Sequence, residues 1–142
     1  MSEGSFALDL TADGVHFAEW QTVVQDDDLE LVSINLANDH SLVATFACER
    51  LQADVVFTFS DVRAFRVVDE GGLLQLWAAS KSNPRPAQTT FCVRGHQWQS
   101  ESPLAWLHGT DKPYFSYMIA TDWDCLEVVA FDPPEVGVKA KP

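Results

Sequence analysis

The stretch Glu30-Leu31-Val32-Ser33-Ile34-Asn35-Leu36 alternates apolar and polar side chains. Successive side chains of an extended strand point to opposite faces. Val32, Ile34 and Leu36 are therefore expected on one side, with Ser33 and Asn35 on the other. Asn38-Asp39-His40 follows as turn chemistry. The pattern then returns twice. Leu42, Ala44, Phe46 and Cys48 share one face of residues 41–48, and Val55, Phe57 and Phe59 share one face of residues 54–60. Three alternating runs with polar breaks between them point to antiparallel β-structure with one face on a core.

Upstream, Phe6–Leu10 and Val15–Trp20 flank Ala12-Asp13-Gly14. Asp-Gly between short apolar runs is a hairpin signal, because the turn needs positive φ. Residues 15–25 could also be read as one helix, but their β-branched and aromatic content favours strand. Downstream, residues 62–68 and 73–77 read as strands around the turn Asp69-Glu70-Gly71-Gly72. Residues 79–88 carry Pro84 and Pro86, which preclude a central strand, and residues 89–94 resume as one. Ser102 can cap a short helix over residues 102–108, with Pro103 at its first position and Gly109 as its stop. Tyr114–Thr121 and Cys125–Phe131 flank Asp122-Trp123-Asp124 and read as a hairpin. Pro133-Pro134 is expected to end regular structure.

The expectation is a mainly β fold, an antiparallel barrel or sandwich of about nine or ten short strands with one short helix near residues 102–108. Residues 1–132 form a single domain on this reading, and 133–142 a flexible C-terminal tail. The chain has 142 residues, the usual size of one domain, and its 46% hydrophobic content suffices for a core. Cys48, Cys92 and Cys125 have no short spacing between them, which fits reduced thiols used as small core residues. The N-terminus does not read as a secretory leader, and no run approaches a membrane-spanning length, so a cytoplasmic location is expected.

Net charge is −12, and its distribution is uneven. Residues 1–49 hold ten acids and no Lys or Arg; the first base is Arg50. The rest of the chain is nearly balanced. Such a field repels nucleic acid and anionic lipid and attracts basic partners. The candidate partner-binding face comprises Asp13, Glu19, Asp26, Asp27, Asp28 and Glu30. Trp98 lies in a polar stretch and Trp123 between two aspartates, so both are candidate exposed aromatics that could anchor an interface.

Catalytic and metal signatures are weak. His16, His40, His96 and His108 lack the tight spacing of a zinc site. Asp122–Glu127 is too short for a calcium loop. There is no nucleophile elbow and no phosphate-cradling glycine loop. The most enzyme-like set is Cys92, Arg94 and His96, which alternation places on one strand face. No catalytic residue, metal or cofactor is assigned. Oligomeric state is not legible.

Phe59-Ser60-Asp61-Val62-Arg63-Ala64-Phe65-Arg66-Val67-Val68-Asp69-Glu70 and Tyr117-Met118-Ile119-Ala120-Thr121-Asp122-Trp123-Asp124-Cys125-Leu126-Glu127-Val128-Val129 resemble segments of small bacterial β-rich proteins, some of them toxin-immunity proteins. The resemblance implies a bacterial origin and carries over no catalytic residue. Three functions are therefore expected in descending order. The first is a non-catalytic protein that meets a basic partner through its acidic N-terminal face. The second is a small-ligand-binding β-barrel, and the third an enzyme with Cys92 as nucleophile.

Overall fold

In the computed structural model, residues 15–69, 72–73, 89–94 and 116–140 are described. The expected helix at 102–108, the strand at 6–10, most of that at 73–77, and Asp13, His96 and Trp98 lie outside them.

Nine strands run in the order β1 (His16–Glu19), β2 (Leu29–Leu36), β3 (Leu42–Cys48), β4 (Ala53–Phe59), β5 (Ala64–Asp69), β6 (Thr90–Arg94), β7 (Ser116–Ala120), β8 (Asp124–Val129) and β9 (Glu135–Ala140). They form two antiparallel sheets. One is five-stranded in the order β1-β6-β7-β8-β5, the other four-stranded in the order β2-β3-β4-β9. Among the described residues neither sheet closes on itself, so the fold is sandwich-like and not a closed barrel. No helix among the described residues is long and apolar enough to cross a membrane.

The β2-β3-β4 meander follows from the alternation that marks it. Leu42, Ala44, Phe46 and Cys48 of β3 and Ala53, Val55, Phe57 and Phe59 of β4 are all buried, while the residues between them are half-buried. Its turns need left-handed backbone, which His40 (φ 68°) and Gln52 (φ 52°) supply without glycine. The Asp39 carboxylate accepts from the Ser41 backbone N–H and hydroxyl and fixes the first of them.

In β2 the expected alternation holds only in part. The register slips between Leu31 and Ser33, leaving Val32 as an extra, exposed residue. This bulge lets Leu29 and Leu31 face the core on one side of it and Ile34 on the other. A regular strand would have sent one of the two apolar sets to solvent. Val32 therefore does not share the inward face with Ile34.

A shared core joins the sheets. Phe46, Phe57 and Phe59 of one pack with Cys92, Ile119, Leu126 and Val128 of the other. Trp20 lies between them, edge-on to Phe57 at 5.8 Å and to Tyr117 at 5.1 Å. The outer face of the five-stranded sheet is buried too, through Val15, Leu73, Phe91, Val93, Met118 and Cys125.

A further expectation is corrected. Residues 133–142 were to be a loose tail, yet residues 135–140 are β9, paired with β4 from Ala53↔Ala140 to Thr58↔Glu135. The open N–H and C=O groups along β4 outweigh the signal of Pro133-Pro134, which merely redirects the chain between sheets. The acidic N-terminal third does not form one pair of neighbouring strands. Instead β1 pairs with β6 and β2 with β3, in different sheets.

Candidate functional site

Strand polarity determines what each end of the sandwich displays. At one end lie the C-termini of β1, β3, β5, β7 and β9 and the N-termini of β2, β4, β6 and β8. The connection from Trp20 to Asp28 crosses between the sheets at this end. Thr89 and Thr90 hold it there. The Thr90 hydroxyl donates to the Trp20 carbonyl at 3.0 Å and lies 3.1 Å from the Thr22 hydroxyl. The Thr89 N–H donates to the Gln25 carbonyl at 2.6 Å, and the Thr89 hydroxyl to the Asp27 carbonyl at 2.5 Å. The Thr89 carbonyl in turn accepts from the Ala120 N–H at 2.8 Å, so the crossover is wired to the β7–β8 tip.

The charges collected at this end are mostly negative. Glu19, Asp26, Asp28, Glu30, Glu49, Asp69, Asp122 and Asp124 are exposed, and Asp27 and Asp54 partly so. Two bases accompany them among the described residues, Arg50 and Lys139. Arg50 is already engaged: Nε and Nη2 donate to the two Asp27 carboxylate oxygens at 2.6 and 2.7 Å, and Nη2 also to the Val23 carbonyl at 3.1 Å. This fork clamps the β3–β4 turn to the crossover. Hydrogen bonding to the guanidinium holds the Asp27 carboxyl below its usual value.

Asp27 is thus spent within the fold, whereas Asp26 and Asp28 on either side point to solvent. Asp28, Glu30 and Glu49, with Leu29, Ala47 and Gln52, line an open concavity of about 290 Å³. No group of three or more His, Cys, Asp or Glu among the described residues is placed to hold a metal ion.

The structure brings Glu19, Asp26, Asp28 and Glu30 to one end, with Asp27 behind them. It adds Glu49, which the candidate face left out, and Asp69, Asp122 and Asp124, which lie beyond the base-free run of residues 1–49. The only sequence signal for the last pair was Asp-Trp-Asp between two strand patterns. Glu127, from the same acidic run, goes elsewhere. It lies opposite Arg66 on the outer face of the five-stranded sheet, 1% exposed, with Arg66 Nε donating to its Oε1 at 2.9 Å.

Trp123 is 76% exposed at the tip of the β7–β8 hairpin. The tip is held by Thr121. Its Oγ1 accepts from the N–H groups of Trp123 (3.1 Å) and Asp124 (2.9 Å), and its hydroxyl donates to the Asp124 carbonyl at 2.7 Å.

Cys92 lies in the shared core, and burial pushes its thiol up to about 12. A thiol in that state is protonated at neutral pH, the opposite of what a nucleophile needs. Cys48 and Cys125 are buried as well. Compared with protein-family models, curated proteins and solved structures, the chain finds no match in any of the three.

Proposed function

We propose that the chain is a non-catalytic binding protein that engages a basic protein partner through the acidic end of its sandwich. One observation carries this reading: the topology gathers carboxylates from both sheets at one end, where one of the two bases described there is tied to Asp27. Such a field speeds encounter with a positive surface and disfavours negative ones. The buried, protonated Cys92 adds weight against the enzyme reading, and the division of the described strands into two sheets against a ligand-filled barrel. Neutralisation of a basic toxin is one concrete form of this function, in keeping with the resemblance of the two segments to immunity proteins.

The test is capture of basic proteins on the immobilised chain, beside a variant carrying Asp26→Lys, Asp28→Lys and Glu30→Lys. The wild type retains a basic partner at low salt and releases it near ~1 M, where the screening length falls to about 3 Å. The variant retains none of it. Equal capture by both chains, or retention indifferent to salt, would sink the proposal.

A further inference from the structure

We infer that Trp123 is the anchor of this surface and that its ligand is an arginine side chain of the basic partner. The inference rests on the basic-partner reading and deepens it. A large apolar ring normally folds back over a core, as Trp20 does. Trp123 does the opposite, and the backbone around it leaves little freedom to retreat. Three hydrogen bonds to the buried Thr121 close the tip beneath it. The ring is thus presented to solvent on a rigid turn, so docking against it orders only two side-chain torsions.

Its neighbours select the ligand. Asp122 and Asp124 flank it and are exposed, and Asp69 lies opposite Asp124 in the register. An apolar partner would leave these carboxylates poorly solvated at a closed interface. A cation satisfies both features, because the indole face attracts positive charge and the carboxylates pair with it. Arginine fits better than lysine. Its planar guanidinium can stack on the ring while its edge N–H groups still reach carboxylates, whereas an ammonium is a compact point charge. Through Ala120 and Thr89 the tip is tied to the Asp26–Asp28 crossover, so an arginine-bearing segment seated on Trp123 would lie within the same negative field.

The experiment titrates the intact chain with a short peptide of alternating arginine and glycine at low salt. A second peptide carries citrulline, the neutral analogue of arginine, in its place. Affinity is read by calorimetry, and the Trp123 indole N–H by nitrogen–proton correlation spectra, assigned from its loss in Trp123→Leu. The expected result is a saturable shift of that signal with the arginine peptide and none with citrulline. Trp123→Leu, which keeps apolar bulk without a ring, should weaken binding roughly two- to thirtyfold, and Trp123→Phe should retain part of it. If Trp123→Leu binds as wild type while the Asp26, Asp28 and Glu30 reversal abolishes binding, the anchor is wrong and the acidic surface stands. If wild type does not bind the arginine peptide, both ideas fail. Equal shifts with citrulline would reduce Trp123 to a nonspecific apolar contact and overturn the inference.

Discussion

The two sheets handle their outer faces in opposite ways. The four-stranded sheet is dry on one side only. Across its outer face run the rows Glu30–Ala47–Asp54–Lys139, Ser33–Thr45–Val56–Gly137 and Asn35–Val43–Thr58–Glu135, small or polar and all at least partly exposed. The five-stranded sheet is buried on both sides. Its outer face carries Phe91, Val93, Met118 and Val129, with Glu127 and the hydroxyl of Ser116 sealed among them. Among the described residues the Ser116 Oγ has no hydrogen-bond partner, a cost that an outer face open to water would not incur. A sheet wetted on one side thus tolerates almost anything small outside. A sheet buried on both incurs a cost for each polar group it encloses without a partner.

That contrast can be broken most forcefully at Arg66. Arg66→Ala leaves the Glu127 carboxylate buried without the guanidinium that pairs it, and stability measured by urea unfolding should fall by about 3–5 kcal/mol. A loss below ~1 kcal/mol would mean that water or another partner compensates the Glu127 carboxylate.

A matched pair sharpens the same point. Val93→Thr and Val43→Thr place one hydroxyl on the outer face of each sheet. The first should cost about 1–3 kcal/mol and the second no more than about 0.5 kcal/mol. Equal costs in the same denaturation series would erase the distinction between the sheets.

The Asp27–Arg50 clamp gives a smaller, pH-dependent effect at the acidic end. The carboxyl is held below its ordinary value of 3.8 in the folded chain. The unfolded state therefore binds its proton first as pH falls. The clamp's contribution is complete well above 3.8 and is lost as pH drops through the depressed folded value. Asp27→Asn should lower the unfolding midpoint at pH 6 and converge with wild type as pH falls below the depressed folded value. Parallel curves over that range would show that the clamp is not the source.

The smallest expected effect is on Cys92. Iodoacetamide at neutral pH should leave it unmodified by mass spectrometry in the native chain, with labelling only under denaturant. Rapid native labelling would reopen the cysteine-enzyme reading.

Legibility in the sequence followed the same division. β3 and β4 could be read residue by residue because one wet face makes the pattern alternate. The strands of the five-stranded sheet could be placed but not oriented, since Phe91-Cys92-Val93 and Cys125–Val129 are buried on both faces and show no period. Glu127 looked like part of an acidic turn for that reason. β9 was missed because an edge strand exposing nearly every residue resembles a tail in composition.

The acidic surface was half legible. The base-free run of residues 1–49 announced a negative field, and Asp-Trp-Asp announced a turn. Local sequence determined the β class, the strand positions other than β9 and the turns, because periodicity, side-chain branching and left-handed backbone act over a few residues. Only the tertiary structure decided which strands became neighbours. That long-range pairing placed β1 and β2 in different sheets, sealed Glu127 against Arg66, and carried Trp123 to the same end of the molecule as Asp26 and Asp28, a juxtaposition about a hundred residues apart in the chain.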